Sequence, residues 1–338
     1  MTPEQSSERA RTAAEFMARE ADDLSEVARA ALAQFGLPDD SPIELINHRE
    51  NLTFRVKEDR GPGYALRLHR EHYQSRANIE SEFAWVDALR ETGIRTPVPV
   101  KGTDGKVVQT VSHPRKPISR YCDLQIWEPG DHSNPESLET LVLLGELNAR
   151  IHEHARQWKR PHGFIRQAWD EDGLLGDDPI WGRFENLAAL TPDAARQFGQ
   201  ARDRARAELI AFGKSEDCFG LIHADLLPEN VLVHQGSPMV IDFDDSGFSW
   251  RLYDLATVLN YEVAGDHMEA IQESWLEGYR RVAPIPDAHL AHLPALIMAR
   301  HLISLGWLET RSETLTAAEG TDDFIELALF WSDRYLGS

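Results

Sequence analysis

Four polar residues near the middle of the chain stand between short apolar runs. His223, Asp225 and Asn230 lie within Leu221-Ile222-His223-Ala224-Asp225-Leu226-Leu227-Pro228-Glu229-Asn230-Val231-Leu232-Val233, and Asp242 closes the next run, Met239-Val240-Ile241. This patterning predicts strand, loop, strand, turn, strand, with the carboxylates delivered on the connections. The chemistry that uses such a set is phosphoryl transfer. It asks little covalent work of the protein, but it needs a carboxylate to orient an attacking hydroxyl and oxygen ligands to hold magnesium against phosphates. Asp225 is the candidate base, and Asn230 and Asp242 are the candidate metal ligands. Any one of them alone reads equally well as a turn residue. Their joint spacing is what argues for a site.

His-x-Asp followed after four residues by Asn is the spacing of a kinase catalytic loop. The stretches His223-x-Asp-x-x-Pro-x-Asn230, Ile241-Asp242-Phe243-Asp244 and Arg251-Leu252-Tyr253-Asp254-Leu255-Ala256 together resemble the core of the aminoglycoside phosphotransferase and choline kinase superfamily. The likeness is strongest over residues 220–260 and extends more loosely over 41–336. Within the superfamily it looks closest to the homoserine kinase type II and stress-response kinase group. The resemblance implies an α+β, bilobal protein-kinase-like fold, with an antiparallel-sheet N-lobe and a mainly helical C-lobe. It also implies ATP and Mg2+ as cofactors, His223 as a brace of the loop and Asp254 as a buried support for its backbone.

The elements that must position these residues follow from the rest of the chain. Residues 3–36 are predicted helical, because Phe16, Met17, Leu24, Val27, Ala31, Leu32 and Phe35 recur at near-helical spacing before Gly36 and Pro38. This helix packs on the neighbouring lobe or on a second subunit, so a homodimer stays open. Strand patterns follow at Ile43–Ile46, Leu52–Val56 and Tyr64–Leu68. The connection Asn47-His48-Arg49-Glu50-Asn51 holds no glycine. Relatives often carry Asn there, which makes Asn51 a candidate phosphate-loop residue. Arg67 stands where kinases place a phosphate-binding lysine, and a guanidinium holds phosphate oxygens in bidentate fashion. In the next helix, about Ser75–Glu91, Glu80 and Glu82 are candidate partners of Arg67, and the resemblance favours Glu82.

Further strands at 97–100, 107–111 and 119–127 end at a segment that resembles the interlobe hinge. Ile126, Trp127 and Glu128 are expected to line the nucleotide cleft there, with backbone groups reading adenine. Beyond it, helices are predicted at about 138–154, 192–212, 251–263, 267–282, 287–309 and 322–336. Residues 161–186 read as an ordered loop. In relatives this region builds part of the acceptor wall, which makes Asp177, Asp178, Trp181 and Arg183 substrate candidates. Asp244 and Asp245 follow the metal-ligand position and support the metal or face a cationic acceptor. Residues 1–40 thus form a helical extension, 41–128 the nucleotide-binding N-lobe and 129–338 the C-lobe with the catalytic loop and substrate site.

Composition bounds the function. The chain has 338 residues, 42% of them hydrophobic, which suits a globular core. No apolar run approaches the about 20 residues needed to cross a bilayer, and the polar N-terminus is not a signal peptide, so no membrane partner and a cytoplasmic location are expected. Cys122 and Cys218 form no metal motif and fit a reduced compartment, with one disulfide left open. A net charge of −21 disfavours nucleic acid. It favours a cationic or neutral substrate, or serves solubility alone.

The leading reading is an ATP- and Mg-dependent kinase of a small-molecule hydroxyl, with amino alcohol, amino acid, sugar and aminoglycoside acceptors all open. The interval from Asp242 to Asp254 leaves little room for an activation loop, and no Ala-Pro-Glu signature is present. The alternatives are a stress-response type protein Ser/Thr kinase, a non-catalytic nucleotide-binding module and, behind these, a metal-dependent phosphohydrolase.

Overall fold

The computed structural model describes residues 3–48, 51–58, 61–262 and 265–337. Helix α1 (Pro3–Leu32) runs into one 3₁₀ turn at Ala33–Phe35 and stops at Gly36, whose φ of 71° is left-handed. Its C-terminal half buries Leu24, Val27, Ala28, Ala31 and Leu32 against a sheet. Phe16, expected on the same stripe, is 40% exposed, because the N-terminal half of α1 leaves the sheet.

That sheet comprises β1 (Ile43–His48), β2 (Leu52–Val56), β3 (Tyr64–Leu68), β4 (Pro99–Val100), β5 (Gln109–Ser112) and β6 (Ser119–Ile126). Its order is β1-β2-β3-β6-β4, with β5 also on β6, and every pairing is antiparallel. Alternation does the positioning: β2 buries Leu52, Phe54 and Val56 while its other residues face away. The β3–β6 register sets Arg67 opposite Asp123. Helix α2 (Arg76–Glu91) follows, capped by Ser75 Oγ, which accepts from Asn78 N at 3.2 Å.

The second lobe begins with β7 (Asp131–His132) and α3 (Leu138–Gln157). A short α4 (Glu171–Leu175) lies inside the segment expected to be loop. Asp170 caps it by accepting from Asp172 N and Gly173 N at 3.2 and 3.0 Å. Helix α5 (Pro192–Phe212) covers the predicted range. Then come β8 (Phe219–Ile222), β9 (Val231–His234), β10 (Ser237–Val240) and β11 (Gly247–Trp250), followed by α6 (Tyr253–Leu259), α7 (Asp266–Arg280), α8 (Asp287–Leu290), α9 (Leu293–Thr310) and α10 (Leu315–Gly337). The helix expected over 287–309 is therefore two, because Pro294, near the start of α9, lacks an N–H and forces a new first turn. Helix α10 starts earlier than expected, where Thr314 Oγ1 accepts from Ala317 N at 3.3 Å.

Helix α9 is mainly apolar and buried around nearly its whole circumference, and α5, α6 and α10 enclose it. Cys122 and Cys218 are both free and buried, and no helix among the described residues is long and apolar enough to cross a membrane. Helices α3 and α7 pack closely at Gly145 and Gly278. A Cβ on Gly278 would lie 1.8 Å from Val142 O, and one on Gly145 would lie 1.9 Å from Trp275 O.

Two stability predictions follow from this packing. Gly278→Ala forces the α3–α7 contact apart and lowers unfolding stability by about 2 kcal/mol or more. Gly199→Ala in α5, whose Cβ meets nothing within 4 Å, raises it by about 0.5–1 kcal/mol. Urea unfolding checks both, and equal effects of the two substitutions would contradict the packing argument. Separately, burial and the neighbouring Arg300 charge push His301 down to about 3. Its neutral-state stability is complete above about 6.5 and is lost as pH falls toward 3, at about 1.4 kcal/mol per pH unit. His301→Leu should therefore lose less stability than the parent between pH 7 and 5, and parallel losses would refute the assignment.

Candidate active site

The catalytic loop joins β8 to β9, and Asp242 follows β10 on the adjoining turn. Two residues here have left-handed backbones without being glycine, Ala224 (φ 68°) and Asp242 (φ 61°). Such conformations persist where the surroundings impose them, and they concentrate at functional sites. Around Ala224 the imposing groups are visible: its N–H donates to Asp254 Oδ1 at 2.7 Å and its carbonyl accepts from Thr257 Oγ1 at 3.2 Å. Asp254 is wholly buried, and its Oδ2 lies 2.8 Å from His152 Nε2.

His223 has both ring nitrogens engaged. Nε2 lies 3.1 Å from Ile241 O and donates to it, while Nδ1 accepts the Asp225 N–H at 3.3 Å. Burial lowers its pKa and keeps the ring neutral. It ties the Asp225 loop to the Asp242 turn and presents no free lone pair.

The Asp225 carboxylate is held at both oxygens. Oδ1 accepts from Arg300 Nη2 at 3.0 Å and Oδ2 from Asn230 Nδ2 at 3.3 Å. Asn230 Nδ2 also donates to Asp225 O at 2.8 Å, which commits the amide nitrogen and leaves Oδ1 as the Asn230 donor atom for a cation. The Asp242 side chain reaches solvent through the cleft, but protein walls surround it. That desolvation, against the pull of Arg67 and with the Asp225 and Glu82 charges adding to it, pushes it up to about 6. Asp244 is 2% exposed, and neither of its carboxylate oxygens has a hydrogen-bond partner. Burial and Glu82 push it up to about 8 against the pull of Arg67.

Arg67 spans two carboxylates, donating from Nη2 to Glu82 Oε1 at 2.8 Å and from Nε to Asp123 Oδ2 at 2.9 Å. Glu82 and not Glu80 is therefore its helix partner; Glu80 lies 3.6 Å from Arg76. Asp123 also meets His69 Nε2 at 2.8 Å and Gln125 Nε2 at 2.8 Å. Asp123 and His69 escaped the sequence reading, although an acid inside the apolar run of β6 was the available signal. Asn51 is buried, and its Oδ1 accepts from Arg70 N at 3.3 Å. Arg49 and Glu50 of the same connection lie outside the described residues.

At the hinge two backbone donors are already engaged. The amides of Ile126 and Trp127 donate to Val98 O and Gly63 O at 2.9 and 3.0 Å, so neither offers a free donor for adenine. Trp127 lies under the Arg55 guanidinium at 4.5 Å, and Glu128 accepts from Arg95 at 3.4 Å.

The acceptor-wall candidates separate. Trp181 is buried and donates from Nε1 to Tyr73 Oη at 2.9 Å, and Tyr73 Oη in turn bonds Asp245 Oδ1. Asp177 and Asp178 are exposed, and Arg183 bonds Asp177 O and Glu185, so these three engage their own loop or solvent and not the Asp225 group. Besides Tyr73, sequence reasoning missed Arg166. Its buried guanidinium donates to Ser246 O at 2.7 Å, Phe243 O at 3.1 Å and Asp244 O, and to Asn78 O at 3.0 Å. It locks the Asp242–Ser246 turn to α2.

Among the described residues no group of three His, Cys, Asp or Glu side chains is disposed to cage a metal. Asn230 Oδ1, the Asp242 carboxylate and the Asp244 oxygens, which make no hydrogen bond, are instead the oxygen donors that could hold one. Magnesium suits that set, since it keeps waters and phosphate oxygens and takes only one or two carboxylates from protein. The buried, unsatisfied Asp244 is the observation that a cation would explain.

The sequence and the fold are both similar to those of known proteins. The microcompartment-associated aminopropanol kinase has a similar structure, with a TM-score of 0.81 at 32% identity, covering 92% of this chain and 97% of that one. Amicoumacin kinase of Bacillus subtilis (strain 168) is 26% identical over 308 residues, 87% of each chain. Amicoumacin kinase hAmiN, solved with AMP-PNP, Ca2+ and Ami, shares the fold at a TM-score of 0.70 and 24% identity, over 86% of this chain and 88% of that one. The phosphotransferase enzyme family matches residues 42–285. By that match the chain belongs to the phosphotransferase enzyme family, and it is a small-molecule phosphotransferase.

Proposed function

We propose that this chain transfers the γ-phosphate of ATP to the hydroxyl of a small amino alcohol or a comparable cationic alcohol, with Asp225 as the base. The observation that carries the reading is Asp225 itself: a partly exposed carboxylate, both oxygens oriented, on a loop whose backbone is locked by Asp254 and beside the Asn230–Asp242 oxygen set. ATP occupies the cleft between a nucleotide-binding lobe of residues 41–128 and the catalytic lobe of residues 129–338, with residues 1–40 as a helical extension. The similarity to a structure solved with AMP-PNP and Ca2+ supports a nucleotide with a divalent cation. When bound, magnesium neutralises the phosphates, and ATP supplies the group transferred.

The chain's own residues do the remainder. Arg67 has Nε and Nη2 committed to Asp123 and Glu82, which fixes its plane and leaves Nη1 to approach a phosphate oxygen. Asn230 and Asp242 hold the cation, and Asp244 supports it from behind. Asp225 accepts the proton of the attacking hydroxyl. Asp245, beside Tyr73 and Trp181, faces the acceptor's ammonium group. The similarity to an aminopropanol kinase and the net charge of −21 support a cationic acceptor. The protein-kinase reading loses ground, because only eleven residues separate Asp242 from Asp254 and β11 occupies Gly247–Trp250 of them.

With Mg2+ and ATP, a panel of amino alcohols, amino acids, sugars, aminoglycosides and a generic protein should show acceptor-dependent ADP release for small amino alcohols. Asp225→Asn should lower that turnover by about 10²–10⁴-fold while leaving nucleotide affinity intact. Turnover that survives in this variant would remove Asp225 as base. Asp242→Asn should weaken ATP binding in the presence of Mg2+ and leave it equal or tighter without the metal, because a carboxylate facing phosphates repels them when no cation intervenes. Calorimetric titration with and without Mg2+ checks this, and an unchanged Mg2+ effect would exclude Asp242 as ligand.

A further inference from the structure

Helix α9 carries one buried charged side chain that the mechanism above does not use. Arg300 is 3% exposed in a helix that is otherwise almost wholly apolar and enclosed. A buried guanidinium is retained only when its charge is compensated, since removing an ion from water costs several kcal/mol. The compensating carboxylate is Asp225, whose Oδ1 accepts from Arg300 Nη2 at 3.0 Å. Aromatic faces frame the cation: its Cζ stands 4.8 Å from the Trp181 ring and 5.9 Å from the Tyr253 ring, and Nη1 lies 3.5 Å from Tyr253 Oη. These rings pack against the guanidinium and keep water from it.

We infer that Arg300 is a positioning residue for the base: it anchors Asp225 Oδ1 from the α9 side, so that the carboxylate presents a single oxygen to the acceptor hydroxyl. This rests on the phosphotransfer reading and goes beyond it. The arrangement explains why one carboxylate is gripped at both ends. Asn230 donates to Oδ2 at the longer distance of 3.3 Å and is also held by the loop carbonyl, whereas Arg300 supplies the short, charged contact. The rotation of the Asp225 side chain is thereby fixed before an acceptor arrives. Preorganisation of this kind matters because a misplacement of about 1 Å at the reacting centre can lower a rate about 100-fold. The pair also links the acceptor wall to the base, since Trp181, which carries the Tyr73–Asp245 contact, lies against the same guanidinium.

The test uses the full chain with Mg2+, ATP and the best acceptor of the panel. Arg300→Ala should lower kcat about 100-fold, with the dissociation constant for Mg·ATP changed less than about twofold. Guanidinium ion at a non-denaturing concentration should restore part of the rate by filling the vacated site. In an Asp225→Ala background, adding Arg300→Ala should change the residual rate less than about twofold, because a residue acting only through Asp225 has nothing left to act on. Arg300→Lys and Arg300→Met, similar in length, decide the point if the alanine variant is unstable. Lys should retain at least about tenfold more kcat than Met, since it keeps the charge-assisted bond to Oδ1. The inference is overturned if kcat of Arg300→Ala stays within about threefold of the parent, if its loss persists undiminished in the Asp225→Ala background, or if Lys and Met behave alike. Absence of acceptor-dependent turnover in the parent would instead sink the phosphotransfer reading, and this role with it.

Discussion

The site depends on one buried carboxylate that does no chemistry. Asp254 accepts the Ala224 N–H at 2.7 Å and thereby holds a left-handed alanine immediately before Asp225. Without such a bond the strained conformation would relax and Asp225 would turn away from the cleft. Its second oxygen meets His152, whose Nδ1 lies 2.9 Å from Tyr279 Oη, so α3, α6 and α7 share one polar chain in the middle of an apolar core. Every member has a partner, which is the condition under which a buried network rigidifies a site. The Gly145–Gly278 approach brings α3 and α7 close enough for the chain to close. Helix packing in the C-lobe is thus connected directly to the loop that carries Asp225, the proposed base.

Charge arrangement is the second constraint. Glu82, Asp123, Asp225, Asp242 and Asp244 converge where the protein supplies mainly the guanidinium groups of Arg67, Arg166 and Arg300. Arg67 fixes the Glu82 and Asp123 carboxylates and Arg300 fixes Asp225, each by a charged bond. Arg166 spends its donors on backbone carbonyls of the Asp242–Ser246 turn, and so neutralises no side chain directly. The repulsion left over falls on Asp242 and Asp244, whose proton affinity is raised. On the proposed function a divalent cation and the phosphates it carries would complete that balance, whereas a bare nucleotide would worsen it.

Much of this was legible in the sequence because the signals are local. Spacing along one loop identified His223, Asp225 and Asn230, and alternation in Leu52–Val56 and Tyr64–Leu68 delimited strands whose faces the structure then set. Resemblance favoured Glu82 over Glu80, and the Arg67 contact distinguishes the two. The groups that escaped are those whose meaning comes from distant pairing. Asp123 matters because the β3–β6 register sets it opposite Arg67, and Arg300 because α9 crosses beneath the catalytic loop. Tyr73 and Arg166 join segments about a hundred residues apart, which no periodicity encodes. Other misses had signals that were present but outweighed. Pro294 splits the helix expected over 287–309, and Asp170 caps a short helix inside a segment read as loop. The Ile126 and Trp127 amides belong to a third kind, since their partners Val98 and Gly63 are set only once the sheet has folded.

The central claim is transfer of the γ-phosphoryl group to a small hydroxyl acceptor, and product identity tests it most directly. Phosphorus NMR of a reaction with Mg2+, ATP and a small amino alcohol should show ADP and a phosphomonoester in equal amounts, the ester signal coupled to the carbinol protons of the acceptor. Appearance of the γ-phosphate only as inorganic phosphate, or only on protein side chains, would contradict the account.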